Sequence, residues 1–323
     1  MKVLVTGARG FIGSNFVRMI ADDERFENVI AFCRDTNDSS RQRLDAVRGN
    51  RSVSIVRGDL CNDLSGLCEG VDVVFNFAAK TFVDHSIRDP MPFIRTNVVG
   101  TQRLIEDARK HKVKAFFQVS TDEVYGQILE GAHHEGSPLC PRNPYAASKA
   151  AADAIVQSYA HTFGMFTCIT RTENNYGPWQ HSQKAMPRFI ACALDDKPLP
   201  VYGDGLHVRQ WLHVDDHCQA IIQLCVDGWQ QRKVESGEVF HVAGKQELTN
   251  IELAHRLLSL LGKPKDQIEF IDDHDIRPGH DRRYALSCDK IADAIGWRPA
   301  VGLDDGLSRS VEWYRSHGRW LRS

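Results

Sequence analysis

Tyr145 and Lys149 are the two residues of this sequence whose types and spacing most directly suggest acid–base chemistry. They stand four positions apart in NPYAASKAAADAIV, a stretch with the composition of a helix, so both side chains share one helix face. A phenol, with an ordinary pKa of about 10, removes a proton at neutral pH only if its anion is stabilised. An ammonium group one turn away provides that stabilisation. The spacing therefore predicts a tyrosine base assisted by a lysine.

Two adjacent acids form a second candidate for chemistry. Asp122 and Glu123 stand in VSTDEVYG, directly after an apolar run that reads as a buried strand, and Thr121 places a hydroxyl beside them. Alone, such a pair fits a solvated turn. Together with a tyrosine–lysine pair it fits a general acid and a general base, because neighbouring carboxyls in a water-poor cleft ionise at different pH values.

Three glycines directly follow the first predicted strand. VTGARGFIG places Gly7, Gly10 and Gly13 between that strand and an apolar helical pattern beginning at Phe11 and Ile12. Glycines allow close approach of a ligand to the backbone, and a helix N-terminus favours a pyrophosphate. The strand–turn–helix context predicts a dinucleotide site formed by these residues.

The end of the second predicted strand bears on the choice of cofactor. It reads Cys33, Arg34, Asp35, with a small thiol where an acid commonly binds the ribose. Arg9 in the glycine loop adds a second cation, so the pattern slightly favours the 2′-phosphate of NADP. The alternative is NAD, with Asp35 on the ribose and both arginines solvated. Asp59, after the third strand, is a candidate for the adenine amino group.

The elements that position these residues alternate between strand and helix. Strand patterns cover 28–33, 53–59, 71–79 and 115–120, and helical patterns lie between several of them. This order predicts an α/β fold, a Rossmann-type doubly wound parallel sheet, with a smaller mixed α/β lobe that binds substrate. We expect residues 1–175, plus about 211–244, to form the dinucleotide-binding domain, and residues 176–210 and 245–323 to form the smaller lobe.

Composition excludes several functional classes. A formal net charge of −2 gives no reason to expect nucleic acid or an anionic membrane as a partner. No apolar stretch reaches the roughly 20 residues that span a bilayer, and the N-terminus lacks a signal-peptide pattern. The nine cysteines are scattered singly, which predicts reduced thiols in a cytoplasmic protein. No histidine or cysteine spacing indicates a metal site.

The motifs together resemble one enzyme family. Tyr-x-x-x-Lys after a glycine-rich first turn is typical of the short-chain dehydrogenase/reductase superfamily, and the length fits its extended, nucleotide-sugar-modifying branch. The further motifs resemble the dTDP-glucose 4,6-dehydratase family in the same order along the chain. They are STDEVYG, NPYAASKAAAD, NNYGPWQ, PLPVYGDG, VRQWLHVDDH, ELTNIEL and RPGHDRRYAL.

This resemblance implies a reaction sequence. Tyr145 would take the proton of the sugar 4-hydroxyl, with Thr121 bonded to that oxygen, while hydride leaves C4 for the cofactor. Glu123 would then remove the C5 proton and a protonated Asp122 would donate to the departing 6-hydroxyl. Hydride returns to C6, giving a 4-keto-6-deoxy sugar and regenerating a tightly bound NADP or NAD.

The remaining site residues are predicted position by position. The cofactor set further includes Leu60, Ala78, Ala79 and Asn175, beside Tyr145 and Lys149 themselves. The resemblance implies that substrate is bound by Thr81, Asn174, Lys184, Pro200, Val201, Tyr202, Arg209, Gln246, Arg277 and His280. The chain departs from the family pattern at Lys80, Phe82, Glu173, Gln246 and the run His181–Ala185, which leaves the base and the hexose open.

Two other functions remain open at this point. A nucleotide-sugar 4-epimerase needs Tyr145 and Lys149 but neither Asp122 nor Glu123. A non-catalytic, dinucleotide-sensing protein would be favoured by loss of the tyrosine or the lysine, and both are present. The family resemblance also implies a homodimer that associates through the helices predicted at 96–112 and 145–161.

Overall fold

The computed structural model describes residues 1–34, 38–278 and 280–322. A parallel sheet built from Val-, Ile- and Phe-rich segments forms its centre, and apart from the partly exposed edge strand Val53–Arg57 the strands of this sheet are largely buried. They are β1 Lys2–Thr6, β2 Asn28–Cys33, β3 Val53–Arg57, β4 Val73–Asn76, β5 Ala115–Thr121, β6 Thr167–Thr172 and β10 Glu238–Val242. Short strands β7 Asn174–Tyr176, β8 Leu199–Tyr202, β9 Val208–His213, β11 Glu247–Thr249 and β12 Ile268–Ile271 lie outside it.

Some of the helices connect the strands of the central sheet and pack against it, and the others pack in the later part of the chain. The helices are α1 Phe11–Ile20, α2 Asp38–Gln42, α3 Val83–Arg88, α4 Met91–Phe93, α5 Gly100–Lys110, α6 Pro144–Phe163, α7 Ala185–Leu194, α8 Val214–Gln223, α9 Asn250–Leu261, α10 Asp289–Ile295, α11 Leu303–Ser316 and α12 Gly318–Leu321. Short 3₁₀ turns occur at Asp45–Val47 and Asp122–Tyr125, and π-helical stretches at Ile94–Val99 and Leu224–Gln230.

The order of the strands creates a crevice for ligands. The central sheet runs β10-β6-β5-β4-β1-β2-β3, with every neighbouring pair parallel. The chain moves outward from β1 to β3, then returns to the other side of β1 at β4. Connecting segments therefore diverge at the carboxyl ends of β1 and β4, the point where doubly wound folds bind nucleotides. This confirms the predicted fold class.

The later part of the chain packs around its own apolar core. β9 lies between β7 and β11, and β8 pairs with β12. The helices α7, α9 and α11 bury leucine, isoleucine and aromatic side chains against one another and against Val201 and Trp211. Ile291 and Trp297, in and after α10, join the core beneath the large sheet instead. Among the described residues, the structure contains no helix long and apolar enough to traverse a lipid bilayer.

Candidate active site

The N-terminus of α6 positions the tyrosine–lysine pair. Asn143 is the N-cap, and its side-chain oxygen accepts a hydrogen bond from the Ala146 amide at 2.8 Å. Pro144 fills the first helical position, where an amide proton is not needed. Tyr145 and Lys149 then lie one turn apart and are 8% and 4% exposed. The local sequence thus fixes both the start of the helix and the face that carries the pair.

Lys149 is a buried cation. Its Nζ donates a hydrogen bond to the carbonyl oxygen of Val119 on β5 at 2.7 Å. Burial lowers the pKa of Lys149 to about 8, because the ammonium has lost most of its water. Burial also raises the pKa of the Tyr145 phenol, and the charge of Glu123 adds to this. The free protein therefore holds a neutral phenol close to an ammonium group.

Asp122 occupies an apolar, water-poor position at the end of β5. It is 4% exposed, and its Oδ1 accepts a hydrogen bond from the Thr121 hydroxyl at 2.9 Å. Its Oδ2 is buried without a hydrogen-bond partner among the described residues. Burial, and then the charge of Glu123, raise the pKa of Asp122 to about 7. This carboxyl is consequently able to carry a proton near neutral pH.

Glu123 lies in a different electrostatic environment. Burial raises its pKa, but a hydrogen bond and nearby cations oppose that shift. The hydrogen bond comes from Asn143 Nδ2, which donates to Glu123 Oε2 at 2.9 Å. The cations are Lys184, Arg209 and Arg277. Since these groups stabilise the carboxylate, Glu123 is the member of the pair better suited to be ionised.

A cavity of about 570 Å³ brings the predicted catalytic and cofactor residues together. It extends along the carboxyl edge of the sheet to the start of α7. The predicted cofactor residues all line it, namely Gly7, Arg9, Gly10, Phe11, Ile12, Gly13, Arg34, Asp59, Leu60, Ala78, Ala79, Tyr145, Lys149 and Asn175. So do Thr121, Asp122, Glu123 and, from the substrate set, Thr81, Asn174 and Lys184.

The glycine loop fits the pyrophosphate of a dinucleotide. Gly7 has φ +63°, and a β-carbon there would lie 2.7 Å from the backbone nitrogen of Ala78. A β-carbon on Gly13 would lie 2.5 Å from the Gly7 carbonyl oxygen. Only glycine permits this tight turn, which presents backbone and the N-terminus of α1 to the cavity. Asp35, the alternative ribose-binding residue, lies outside the described residues.

Four of the predicted substrate residues lie beyond the cavity but close to its acidic pair. Arg209 donates to His280 Nε2 at 3.1 Å, and the charge of Arg209 acts on both Asp122 and Glu123. Arg277 forms an ion pair with Asp84 at 2.5 Å and lies 5.1 Å above the ring of Tyr202. The mouth of the cavity is therefore strongly cationic.

His280 also belongs to a small cluster of metal-ligand types. His207, Asp273 and His280 place donor atoms within 4.8 Å of one another. Asp273 Oδ2 lies 2.7 Å from His280 Nδ1, so the two groups already satisfy each other. The charges of Arg209 and Arg282 act on His207 and disfavour a cation there. The cluster is better explained as support for the Arg209 side chain.

The other three predicted substrate residues are less accessible or more distant. Val201 is 0% exposed and its side chain belongs to the core of the smaller lobe, so no part of it is accessible to a ligand in this conformation. Pro200 is half-buried beside it, and Gln246 is exposed before β11. None of these residues lines the cavity described above.

Sequence reasoning overlooked two residues of this site. Nothing in the sequence around Asn143 indicates its contact with Glu123, which is 20 positions away. Glu173 was visible as a departure from the family pattern, yet the structure shows it 5% exposed and lining the cavity beside Asn174. Its Oε1 accepts the Leu286 amide at 3.0 Å, and burial raises its pKa well above the ordinary value.

Comparison with known proteins agrees with this geometry. The family model described as GDP-mannose 4,6 dehydratase matches residues 4–310. A dTDP-glucose 4,6-dehydratase of Actinoplanes sp. is 43% identical over 99% of both chains. DesIV, a dTDP-glucose 4,6-dehydratase from Streptomyces venezuelae solved with NAD bound, is 42% identical, covers 99% of this chain and 98% of its own, and has a TM-score of 0.92.

Related epimerases share the fold at lower identity. The UDP-glucuronic acid 4-epimerase of Bacillus cereus, solved with UDP-glucuronic acid and NAD, is 28% identical, with a TM-score of 0.92 over 98% of this chain and 100% of its own. Fold alone thus does not separate the two activities, whereas the identity to dehydratases over the full length does. The chain belongs to the GDP-mannose 4,6 dehydratase family of extended short-chain dehydrogenases/reductases, and it is an NAD(P)-dependent NDP-hexose 4,6-dehydratase.

Proposed function

We propose that this enzyme acts on a dTDP-hexose, with dTDP-glucose as the first candidate, and forms the 4-keto-6-deoxy sugar. The choice of a dTDP-hexose is supported by the similar proteins, which are dTDP-glucose 4,6-dehydratases, and the observation that carries the reaction is the contrast between two adjacent carboxyls directly after β5. Asp122 is buried with one oxygen lacking a partner among the described residues, while Glu123 is stabilised by an amide and nearby cations. An elimination of water needs one acid and one base on neighbouring groups of the substrate.

Oxidation at C4 is assigned to the α6 pair. A nicotinamide dinucleotide bound along the glycine loop supplies the chemistry of accepting hydride from C4 and returning it at C6. Tyr145 removes the proton from the 4-hydroxyl, and Lys149 stabilises the developing phenolate. Thr121 lies beside both Asp122 and Tyr145, so its hydroxyl is placed to bond the same sugar oxygen.

Water elimination is assigned to the acidic pair. The new 4-ketone makes the C5 proton acidic, and Glu123 removes it. Asp122 gives its proton to the 6-hydroxyl, which leaves as water. A proton then returns to C5 as hydride reaches C6, so the net change is the loss of one water molecule. Burial of Asp122 keeps competing solvent away from the proton donor.

Binding of the nucleotide sugar is assigned to the cationic mouth of the cavity. Lys184, Arg209 and Arg277 provide charge for a diphosphate, and Arg209 has His280 as a neighbour. Tyr202 offers a ring to the base. We also assign Thr81 and Asn174 to the sugar, and Pro200, Val201 and Gln246 to the nucleotide. The cofactor and the nucleotide sugar would then occupy the two lobes predicted as 1–175 plus 211–244 and 176–210 plus 245–323.

We propose NAD as the cofactor, although the sequence slightly favours NADP. Arg34 lies 3.8 Å from Asp59, so its charge is partly compensated, and Arg9 reaches the carbonyl oxygen of Arg34. Several similar proteins were solved with NAD. We expect the dinucleotide released by denaturing the purified protein to have the mass of NAD. A released dinucleotide that carries a 2′-phosphate would instead support the preference for NADP.

We further propose that the enzyme is a cytoplasmic homodimer. Met91, Ile94 and Val99 leave 52%, 37% and 40% of their surface exposed along the helical segment that ends in α5, and Phe163 at the end of α6 leaves 51%. A second copy would cover these apolar side chains. All nine cysteines lie among the described residues and are free thiols, which suits a reducing compartment.

The test of the substrate class is a panel of dTDP-, UDP-, GDP- and CDP-hexoses. We expect one of them, dTDP-glucose first, to lose the mass of one water on incubation with the enzyme. A product of unchanged mass with inverted C4 configuration would instead show a 4-epimerase. Turnover of a GDP-, UDP- or CDP-sugar in preference to the dTDP-sugar would overturn the assigned base but not the reaction.

The two chemical steps should differ in their dependence on pH. Asp122 has its pKa raised to about 7, so product formation is expected to decline as pH rises through that value and the acid loses its proton. Lys149 has its pKa lowered to about 8, so C4 oxidation should persist to higher pH. Single-turnover absorbance of the reduced nicotinamide reports oxidation, and quenched samples report product. Identical pH profiles for both steps would contradict this assignment.

A further inference from the structure

A chain of buried polar side chains runs beneath the Tyr145–Lys149 pair. Asp153 lies one further turn along α6, four positions after Lys149 on the same helix face. Its side chain is 0% exposed, and that of Arg171 on β6 is 3% exposed. Arg171 Nε donates a hydrogen bond to Asp153 Oδ2 at 2.9 Å. A fully buried ion pair therefore stands directly behind the catalytic pair.

Arg171 is itself fixed by further contacts. Its Nη1 donates to the Tyr125 hydroxyl at 2.5 Å, and the guanidinium lies 4.8 Å from the centre of that ring. The Tyr125 hydroxyl oxygen in turn lies 2.7 Å from His241 Nε2, and His241 Nδ1 lies 3.0 Å from the carbonyl oxygen of Ser287. These contacts leave the guanidinium a single orientation, with Nε toward Asp153.

Burying such an ion pair costs free energy, so its position behind Tyr145 and Lys149 requires an explanation. Two charges lose their water on folding, and apolar side chains of similar volume commonly stabilise a core as well or better. Arg171 engages only one oxygen of Asp153. The Ser120 hydroxyl also stabilises the Asp153 carboxylate, and the charges of Asp153 and Lys149 act on each other. The carboxylate therefore serves the buried lysine as well as Arg171.

Other charged groups around this part of α6 face elsewhere. Asp122 and Glu123, on the turn after β5, raise the pKa of Tyr145, whereas the charge that acts on Lys149 is that of Asp153. On the segment before α5, Asp84 is paired with Arg277. The remaining charged or titratable side chains of that segment are exposed, namely His85, Arg88, Asp89 and Arg95. On β5, the group that Lys149 contacts is the neutral carbonyl of Val119, which accepts its hydrogen bond.

We propose that Asp153, oriented by Arg171, is a positioning residue that keeps the Lys149 ammonium charged while Tyr145 acts as a base. The inference rests on the proposed roles of Tyr145 and Lys149. Burial lowers the pKa of Lys149, and Asp153 opposes that shift. Without the carboxylate, Lys149 would lose its proton at a lower pH, and the Tyr145 phenolate would lose its stabilising charge under conditions where the enzyme now works.

The test is the pH profile of C4 oxidation in the cofactor-loaded Asp153→Asn enzyme, measured in single turnovers with the dTDP-hexose. The alkaline limb of the C4-oxidation profile should shift down by about one pH unit, giving about fivefold slower oxidation at pH 8. At pH 6 the rate should stay within about twofold of the wild type, since Lys149 is protonated in both proteins. A merely structural residue would lower the rate equally at every pH.

A second variant covers the case in which an unpaired Arg171 destabilises the fold. The double variant Asp153→Asn, Arg171→Met removes both charges and should show the same displaced limb with thermal stability near that of the wild type. An alkaline limb at the wild-type position in this protein would overturn the inference. If the wild type forms a 4-keto-6-deoxy product but the alkaline limb of C4 oxidation does not shift in the variants, only the proposed role of Asp153 is wrong. If the wild type oxidises no sugar, the proposed function fails.

Discussion

Replacing Glu123 with glutamine is expected to abolish exchange of the C5 proton with solvent while oxidation at C4 continues. The amide keeps the size of the side chain but cannot accept a proton as a base. Removal of a general base slows the affected step by roughly 10²- to 10⁴-fold. Incubation in deuterium oxide followed by mass spectrometry of the sugar measures the exchange, and the absorbance of the reduced nicotinamide measures oxidation.

The matched control is the adjacent replacement, Asp122→Asn. This variant lacks the proton donor for the 6-hydroxyl but keeps the Glu123 carboxylate and its bond from Asn143. It should exchange the C5 proton yet form product slowly. The opposite result, with exchange lost in Asp122→Asn and retained in Glu123→Gln, would reverse the two roles. Normal product formation by Glu123→Gln would remove that residue from the mechanism.

Replacing Tyr145 with phenylalanine is expected to stop the reaction one step earlier. Without the phenol nothing takes the proton of the 4-hydroxyl, so oxidation, C5 exchange and product formation should all fall by roughly 10²- to 10⁴-fold. The side chain is 8% exposed, and the substitution removes one oxygen without changing its packing. Stopped-flow absorbance during a single turnover measures the loss directly.

Tyr159→Phe provides the control for this experiment. Tyr159 lies further along the same helix and does not line the cavity, and its hydroxyl donates to Glu106 Oε2 at 3.0 Å. This variant should oxidise the sugar at the wild-type rate. If both variants are equally slow, the defect lies in the helix rather than in the Tyr145 phenol. If Tyr145→Phe oxidises normally, another base must be sought.

The features that sequence predicted well are local or follow a strict period. β2 was predicted at 28–33 and occurs at Asn28–Cys33, because a short Val-, Ile- and Phe-rich run can bury both faces only as an inner strand. Tyr145 and Lys149 share a helix face because four positions make about one turn. The helix predicted at 96–112 is likewise present, although its first turns, Ile94–Val99, are π-helical before α5 begins at Gly100.

The features that sequence did not reveal depend on contacts between distant segments. Nothing in the local pattern shows that Asn143 reaches Glu123, or that Asp153 on α6 pairs with Arg171 on β6. The partners meet only once β5, β6 and α6 have packed together. Glu173 illustrates a further limit. The sequence shows a glutamate at this position, but its burial depends on β6 and on the later segment that brings the Leu286 amide to it.

The structure also shows which contacts are made by residues that depart from the family pattern. The ring of Phe82 lies 4.5 Å from the Lys184 ammonium, and that ammonium donates to the carbonyl oxygen of Thr81 at 3.1 Å. His181 approaches the same ring edge to face at 5.2 Å. An aromatic side chain at position 82 thus orients a cation of the predicted diphosphate site. Substitution there alters how Lys184 is held without removing the acid–base residues.

The most direct test of the central claim follows the hydrogen at C4. A dTDP-hexose labelled with deuterium at C4 is incubated with the enzyme in ordinary water, and the product is analysed by nuclear magnetic resonance. Oxidation, elimination and return of hydride within one active site predict that the deuterium appears at C6 of a 4-keto-6-deoxy sugar. Deuterium retained at C4 in a sugar that has lost no water would contradict the account and indicate an epimerase.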